Sequence, residues 1–448
     1  MSYNKSIIIM VSILNLFILQ YGQSANRAFI LSGGGTEDTC ARSYRHGSSQ
    51  AYVALKRSSY EVYVAATNGS WGMDYKDGFV PQDRIFPATS KESVEAGLRV
   101  ALEGILPDEQ VMIFITGHGE EPKLNDENWN IKIVLYRDKS EPYLKPVPTL
   151  SHEELMGLIK QYIPVSNSVK IVGTYCFAGG LHHISFFSPN VCSATQTDFL
   201  SVLRTHNSKF GDTNDYNSFF GFWGQFYEPE VSLWSAHESG LSFDGGRNNA
   251  RGTTSSMAYV NACLQEGAYN VQDRNPYAAE LSHEEHEKFL SELNFKLEGL
   301  SQFMSSTPEE HSMVNAVDLE DFEWVDHSIQ KRNRTIIDIL ELINPIYLKM
   351  KSDVSKKLLT YESDLKKEKE KMLTQNTAVS WTSWLGRIFY SQIPPINKNL
   401  SKYRHIQEQV ERLRRIHDFV KIASDEQLYK FKKLLECEFQ PLKGKIVL

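Results

Sequence analysis

Two residues of this chain, His118 and Cys176, have the types and settings that thiol chemistry requires. His118 follows the apolar run Val111-Met112-Ile113-Phe114-Ile115-Thr116-Gly117 and precedes Gly119-Glu120. Cys176 follows Val169-Lys170-Ile171-Val172-Gly173-Thr174-Tyr175 and precedes Phe177-Ala178-Gly179-Gly180. Short apolar runs bounded by glycine read as buried strands. Each therefore delivers a reactive side chain at its carboxyl end, the edge where open α/β sheets gather catalytic groups. A thiol attacks as the thiolate, so it needs an imidazole or a helix dipole beside it. An imidazole from the neighbouring strand and a helix starting after Cys176 would supply both. The chemistry implied is acyl transfer through a thioester, with His118 moving the proton. Glycines next to each residue let backbone N–H groups approach a substrate, so the N–H groups of Gly119 and Cys176 suit an oxyanion hole. An isolated Cys or His is more often a core residue; the matching strand-end settings favour the dyad.

The elements that must position this pair alternate between strand and helix from about residue 27 to 263. Strands are expected at Arg27–Ser32, Tyr60–Ala66, in the two runs above and at Asn190–Thr195. Helices are expected at Tyr44–Ser58, Ser90–Leu106 and Leu150–Tyr162, the last opened by a capping box of Ser151 and Glu154. This alternation implies an α/β domain with a mostly parallel sheet sandwiched by helices. The proline-bearing segment from Glu121 to Pro148 reads as loop around a strand at Ile131–Leu135. Beyond a polar linker at residues 265–282, the chain reads as a carboxyl-terminal all-α helical domain, residues 283–448. Thr307-Pro308-Glu309-Glu310 is a helix start. Apolar residues recur at helical steps from Ile336 to Leu358 and from Ile406 to Val420, and Pro345 is expected to kink its helix.

A length of 448 residues suits two or three domains, and 41% hydrophobic residues suffice for a sizeable core. A net charge of −7 argues against nucleic acid as a partner. Lys5, the apolar run Ile7–Leu19 and the small residues Ser24 and Ala25 read as a cleaved signal peptide over residues 1–25. The mature chain is then expected to be secreted or exported, with no membrane span. Five cysteines leave one over in an oxidising compartment. Either Cys176 is the free one and the other four pair, or all five are reduced. Gly33-Gly34-Gly35 lacks the spacing of a dinucleotide loop, and His283 and His286 are three apart, not four as in a zinc-peptidase helix. His182-His183 has no supporting cysteine or carboxylate cluster. No metal or cofactor is expected.

The ordered set of motifs resembles the caspase–legumain group of cysteine peptidases, whose dyad is a His-Gly after one strand and a Cys after the next. His118-Gly119-Glu120-Glu121 resembles the caspase form of the first motif. Phe29-Ile30-Leu31-Ser32-Gly33 followed by Tyr44-Arg45-His46 resembles the legumains more closely, and Asn190–Thr195 resembles their substrate-lining strand. The resemblance covers roughly residues 27 to 263. It implies a caspase-like fold, His118 as acid and base, Cys176 as nucleophile, and Gly119 with Cys176 at the oxyanion. It also implies a substrate pocket involving Arg45, Thr174, Ser193, Ala194 and Phe222, a peptide or protein substrate, and a helical pro-region that inhibits the intact chain. Three positions depart from the legumain pattern. Ser43 stands where legumains carry an Asn that orients the catalytic His, and Thr174 and Phe222 stand where they carry pocket acids. An arginine without those acids favours an acidic or carbonyl-bearing side chain over asparagine.

Overall fold

A computed structural model describes residues 26–34, 37–67, 69, 82–107, 109–120, 131–137, 146–188, 190–196, 231–244, 252–264, 330–349, 351–353, 355, 356, 363 and 397–442. The expected signal peptide, the linker, the Thr307 helix start and Phe222 lie outside the described residues. Among the described residues, no helix is long and apolar enough to cross a membrane. The described residues up to Gly240, together with Gly252–Thr254 and Cys437–Leu442, form one compact unit. The described residues within Leu241–Arg251 and Ser255–Glu436 group into a second. Thr254 and the described residues Cys437–Leu442 thus group with the sheet.

The first unit is built on strands β1 (Asn26–Ser32), β2 (Tyr60–Ala66), β3 (Ile85–Phe86), β4 (Val111–Thr116), β8 (Val169–Thr174) and β9 (Val191–Thr195). They form one sheet in the order β3-β2-β1-β4-β8-β9, with every pair parallel. The order reverses between β1 and β4, so the crevice that α/β sheets use for ligands opens at their carboxyl ends. Residues of alternate parity point to opposite faces. Phe29, Leu31, Ile113, Ile115 and Ile171 pack on one face with Val94, Leu98 and Leu102 of α2 (Lys91–Leu102) and with Leu155, Leu158 and Ile159 of α3 (His152–Tyr162). Ala28, Ile30, Met112, Phe114 and Val172 pack on the other with Ala51, Tyr52 and Leu55 of α1 (Glu37–Arg57) and with Leu233 and Ala236 of α5 (Leu233–Asp244). Burial on both faces is why these strands read as unbroken apolar runs. The expected α/β sandwich is therefore present.

Local signals locate the helix starts. Ser151 accepts from the Glu154 N–H while the Glu154 carboxylate accepts from the Ser151 N–H, the reciprocal box read from the sequence. Ser90 and Ser93 build a second such box ahead of α2. Helix α1 begins seven residues before the expected Tyr44 (44 − 37 = 7). The strand expected at Ile131–Leu135, within the Glu121–Pro148 segment, is present at Lys132–Val134. β6 (Lys132–Val134) pairs antiparallel with β5 (His118–Gly119) and with β7 (Thr149–Ser151), forming a small second sheet that carries His118.

The described elements of the second unit are helices. They include α6 (Ser255–Cys263), α7 (Asn397–Ile422), α8 (Asp425–Phe439, up to Glu436 in this unit) and a helical stretch over 330–349 that runs through Pro345. Ile336, Ile339 and Ile343 are fully buried, as are Val410, Ile416, Phe419, Val420, Leu428 and Phe431. His417, expected on the apolar stripe, lies half-buried with its Nδ1 2.9 Å from Asp418 Oδ1, and Ile416 and Phe419 take the core positions beside it.

The amino-terminal edge of the sheet is closed by the far end of the chain. Cys437 forms a disulfide with Cys192 of β9, across 245 residues. Leu442 is fully buried in the second core face, and its N–H donates to Val231 O at 2.7 Å. The Tyr60 hydroxyl donates to Leu442 O, Gln110 Nε2 donates to Pro441 O at 3.0 Å, and Phe439 stacks on Trp234 at 5.4 Å. Lys170, wholly buried near the start of β8, donates to Gln440 Oε1, Gln110 Oε1 and Ser168 Oγ at 3.2–3.3 Å. Burial pushes its amine down to about 7. Of the two cysteine patterns expected, neither holds: Cys192 and Cys437 pair, while Cys176 and Cys263 are free thiols. The Cys40 side chain lies outside the described residues.

Ending the chain at Glu436 removes the disulfide and this clasp together, and is expected to lower stability by about 2–5 kcal/mol. Urea unfolding of the full and shortened chains measures the difference, and equal midpoints would contradict the clasp. A single cut in the segment 265–282 is expected to leave two fragments that migrate together on a gel until a reducing agent is added.

Candidate active site

The register of the central strands decides where the two reactive residues stand. Thr116 of β4 is the partner of Thr174 of β8. His118 and Cys176 each lie two positions beyond that pair (116 + 2 and 174 + 2), so both leave the carboxyl edge at the same level. The chains then converge. A Cβ built on Gly119 would overlap the Cys176 carbonyl oxygen, so only glycine lets the two backbones touch here. Gly117 adopts φ +149 and packs against the backbone of Gly33 at the end of β1, a conformation and a contact that again require glycine. The two glycines that flank His118 therefore seat it against the ends of β1 and β8.

His118 and Cys176 are both partly exposed, so the pair is reachable from solvent. Partial burial holds the His118 imidazole below its ordinary value, which favours the neutral ring able to accept a proton. After Cys176 the chain turns sharply: Phe177 has φ 62 and ψ 21, the left-handed region that a bulky side chain rarely adopts. A 3-10 turn (Ala178–Leu181) follows and leads into α4 (His182–Phe187). The helix expected after Cys176 is thus a short 3-10 turn continued by six α-helical residues.

The expected pocket residues fall into different environments. Arg45 lies in α1, two residues before Gly47, whose position is close to the Thr116 hydroxyl at the end of β4; the Arg45 side chain lies outside the described residues. Thr174 is buried and its hydroxyl donates to Ile115 O at 3.4 Å. Ser193 and Ala194 are fully buried in β9. Ser193 Oγ lies 2.8 Å from both His182 Nδ1 and Ser185 Oγ, and Ala194 belongs to the second core face. Contact of Ser193 or Ala194 with a substrate would therefore run through backbone. His182, weighed from the sequence as a metal ligand, has Nε2 3.2 Å from Thr195 Oγ1, so both ring nitrogens are occupied inside the fold.

Three residues around Cys176 carried no sequence signal of their own. Tyr175, fully buried, has its hydroxyl 2.7 Å from His152 Nε2. His152 is the first residue of α3, which the capping box locates, yet nothing local says that its ring lies under the Cys176 turn. Phe177 gives no hint of a left-handed backbone. Burial pushes both His152 and His182 down to about 3, chiefly by desolvation, so each is a neutral ring.

Comparison with protein-family models gave no match, and comparison with curated proteins gave none either.

Above the ordinary imidazole value of 6.5, His152 and His182 are neutral in the folded and the unfolded chain alike. As pH falls below that value, the unfolded chain binds protons that the folded one refuses until about 3. Stability is therefore lost on acidification through that window, by up to about 1.4 kcal/mol per pH unit for each ring. Denaturant midpoints at stepped pH measure the slope, and His182→Asn is expected to make it shallower; an unchanged slope would refute the assignment.

Proposed function

We propose that this chain is a cysteine endopeptidase of the legumain type with a caspase-like α/β domain, exported and made as a zymogen. The observation that carries this reading is the contact of Gly119 with the Cys176 carbonyl, which brings the His-Gly and Cys motifs to one level of the sheet edge. Neutral His118 takes the Cys176 proton, and the thiolate attacks the scissile carbonyl. The backbone N–H groups of Gly119 and Cys176 receive the oxyanion. The imidazolium then returns its proton to the leaving amine, giving a thioester. Water, deprotonated by His118, adds to the thioester, and the acid product and the free thiol are regenerated. An entering amine in place of water would make the same site a ligase or transamidase.

Arg45 receives the side chain before the scissile bond in this reading. With Ser43, Thr174 and Phe222 in place of the legumain polar and acidic residues, the pocket favours a carboxylate or carbonyl-bearing side chain over asparagine. In this reading the helical region inhibits the intact chain. Because Cys437 is bonded to Cys192, a cut in the linker would relieve inhibition without shedding the fragment. A second reading, an inactive relative that binds peptides in the same cleft, draws on Ser43 and on the Thr174 hydroxyl being turned to Ile115 O.

A thiol-directed peptide probe separates these readings. The peptidase reading expects modification of Cys176, abolished by Cys176→Ala, slowed about 10²-fold or more by His118→Ala, and accelerated by a linker cut. Binding of the probe peptide without modification would favour the inactive relative. Peptides varied at the position before the scissile bond report specificity: cleavage is expected to be fastest after acidic or glutamine-like residues, and fastest cleavage after asparagine would sink the pocket assignment.

A further inference from the structure

The turn that presents Cys176 is strained, and something must hold it. A left-handed Phe177 persists only where its surroundings leave no alternative. Tyr175 lies beneath that turn with no exposure to solvent. The edge of its ring meets the His-Gly backbone: a Cβ built on Gly119 would stand 3.0 Å from Tyr175 Cδ2. Its other edge meets β8, with Cε1 3.2 Å from a Cβ built on Gly173. Its hydroxyl is 2.7 Å from His152 Nε2.

His152 in turn reaches the far side of the same turn. Its ring lies on the Gly180 backbone, where a built Cβ would stand 2.8 Å from Nδ1 and 2.9 Å from Cε1. The His152 backbone N–H donates to Ile131 O at 3.0 Å, immediately before β6, the strand that pairs with His118–Gly119. One residue thus touches, through its ring, the residue before the nucleophile and the turn after it, and, through its backbone, the support of the general base. A phenylalanine would fill the Tyr175 space equally well; the hydroxyl adds one directional bond, and that bond ends on His152, the residue whose ring and backbone link the two motifs.

We infer that Tyr175 and His152 are positioning residues for Cys176, holding the nucleophile turn at the level where its thiol faces the His118 strand. The inference rests on the peptidase reading. Burial keeps the Tyr175 phenol protonated and the His152 ring neutral, so the bond joins two uncharged groups and does not switch with moderate changes of pH.

The test uses the full chain and iodoacetamide, with alkylation of Cys176 and Cys263 followed separately by mass spectrometry. Cys263, a free thiol in the second unit, reports any general loosening. Tyr175→Phe is expected to slow alkylation of Cys176 about tenfold, the scale on which small misplacements of reacting groups act, with the Cys263 rate unchanged. His152→Leu should match it, and His152→Gln, which restores a polar atom near the Nε2 position, should recover most of the lost rate. If Tyr175→Phe leaves the Cys176 rate unchanged while His118→Ala slows it, the positioning role is overturned and the peptidase reading stands. If Tyr175→Phe changes both cysteines together, the pair is merely structural and the proposal is also overturned. If Cys176 of the parent reacts no faster than in the urea-unfolded chain and is indifferent to His118→Ala, the peptidase reading fails and takes the positioning role with it.

Discussion

The contact of the Gly119 backbone with the Cys176 carbonyl is the constraint on which the site depends. Parallel pairing of β4 with β8 brings both strands to the same level, but pairing ends at Thr116 and Thr174. Beyond that point the two chains are free to diverge, and in most parallel sheets they do, because each must leave for its own crossover. Here they stay together because neither side chain nor solvent separates them. Gly117 turns the chain against Gly33, Gly119 meets the Cys176 turn, and β6 pairs with both His118 and Gly119 from the outside. Any side chain at 119 would force apart the two groups that the proposed reaction needs together.

The two edges of the sheet are treated differently. At the carboxyl edge, backbones approach through glycine, and His118 and Cys176 remain partly exposed. At the amino edge, the end of the chain seals the strands: Leu442 enters the core, the backbone carbonyls of Pro441 and Leu442 receive side-chain donors, and Cys437 is bonded to β9. The helices of the second unit therefore belong to a chain segment whose two ends both enter the first unit. That connectivity changes what a pro-region would mean for this protein. A segment anchored at both ends is not an appendage that one cut discards. An inhibitory role would have to end by rearrangement within a two-chain molecule.

Buried histidines support both the fold and the site. His152 and His182 are neutral because desolvation outweighs any benefit of charge, and each hydrogen-bonds hydroxyl groups with its ring. Neutral imidazole can both donate and accept, which suits interiors lined by hydroxyls such as Tyr175, Ser193 and Thr195. The same groups confer acid sensitivity, since the unfolded chain can protonate them and the folded one cannot.

The sequence by itself determined the α/β class, the strands that carry His118 and Cys176, and the Ser151 cap of α3. These follow from short-range rules: apolar runs mark strands buried on two faces, and capping pairs mark helix starts. It did not determine the disulfide, because two cysteines 245 residues apart reveal nothing until the chain folds back. Nor did it show that β5, β6 and β7 make a second sheet, since strands of two or three residues carry no periodicity to read. Tertiary structure alone placed His152 beneath Tyr175, made Phe177 left-handed, and turned Ser193 and Ala194 inward. Each of these depends on which backbone lies across from which, and that is decided by strand register and close packing rather than by neighbours along the chain.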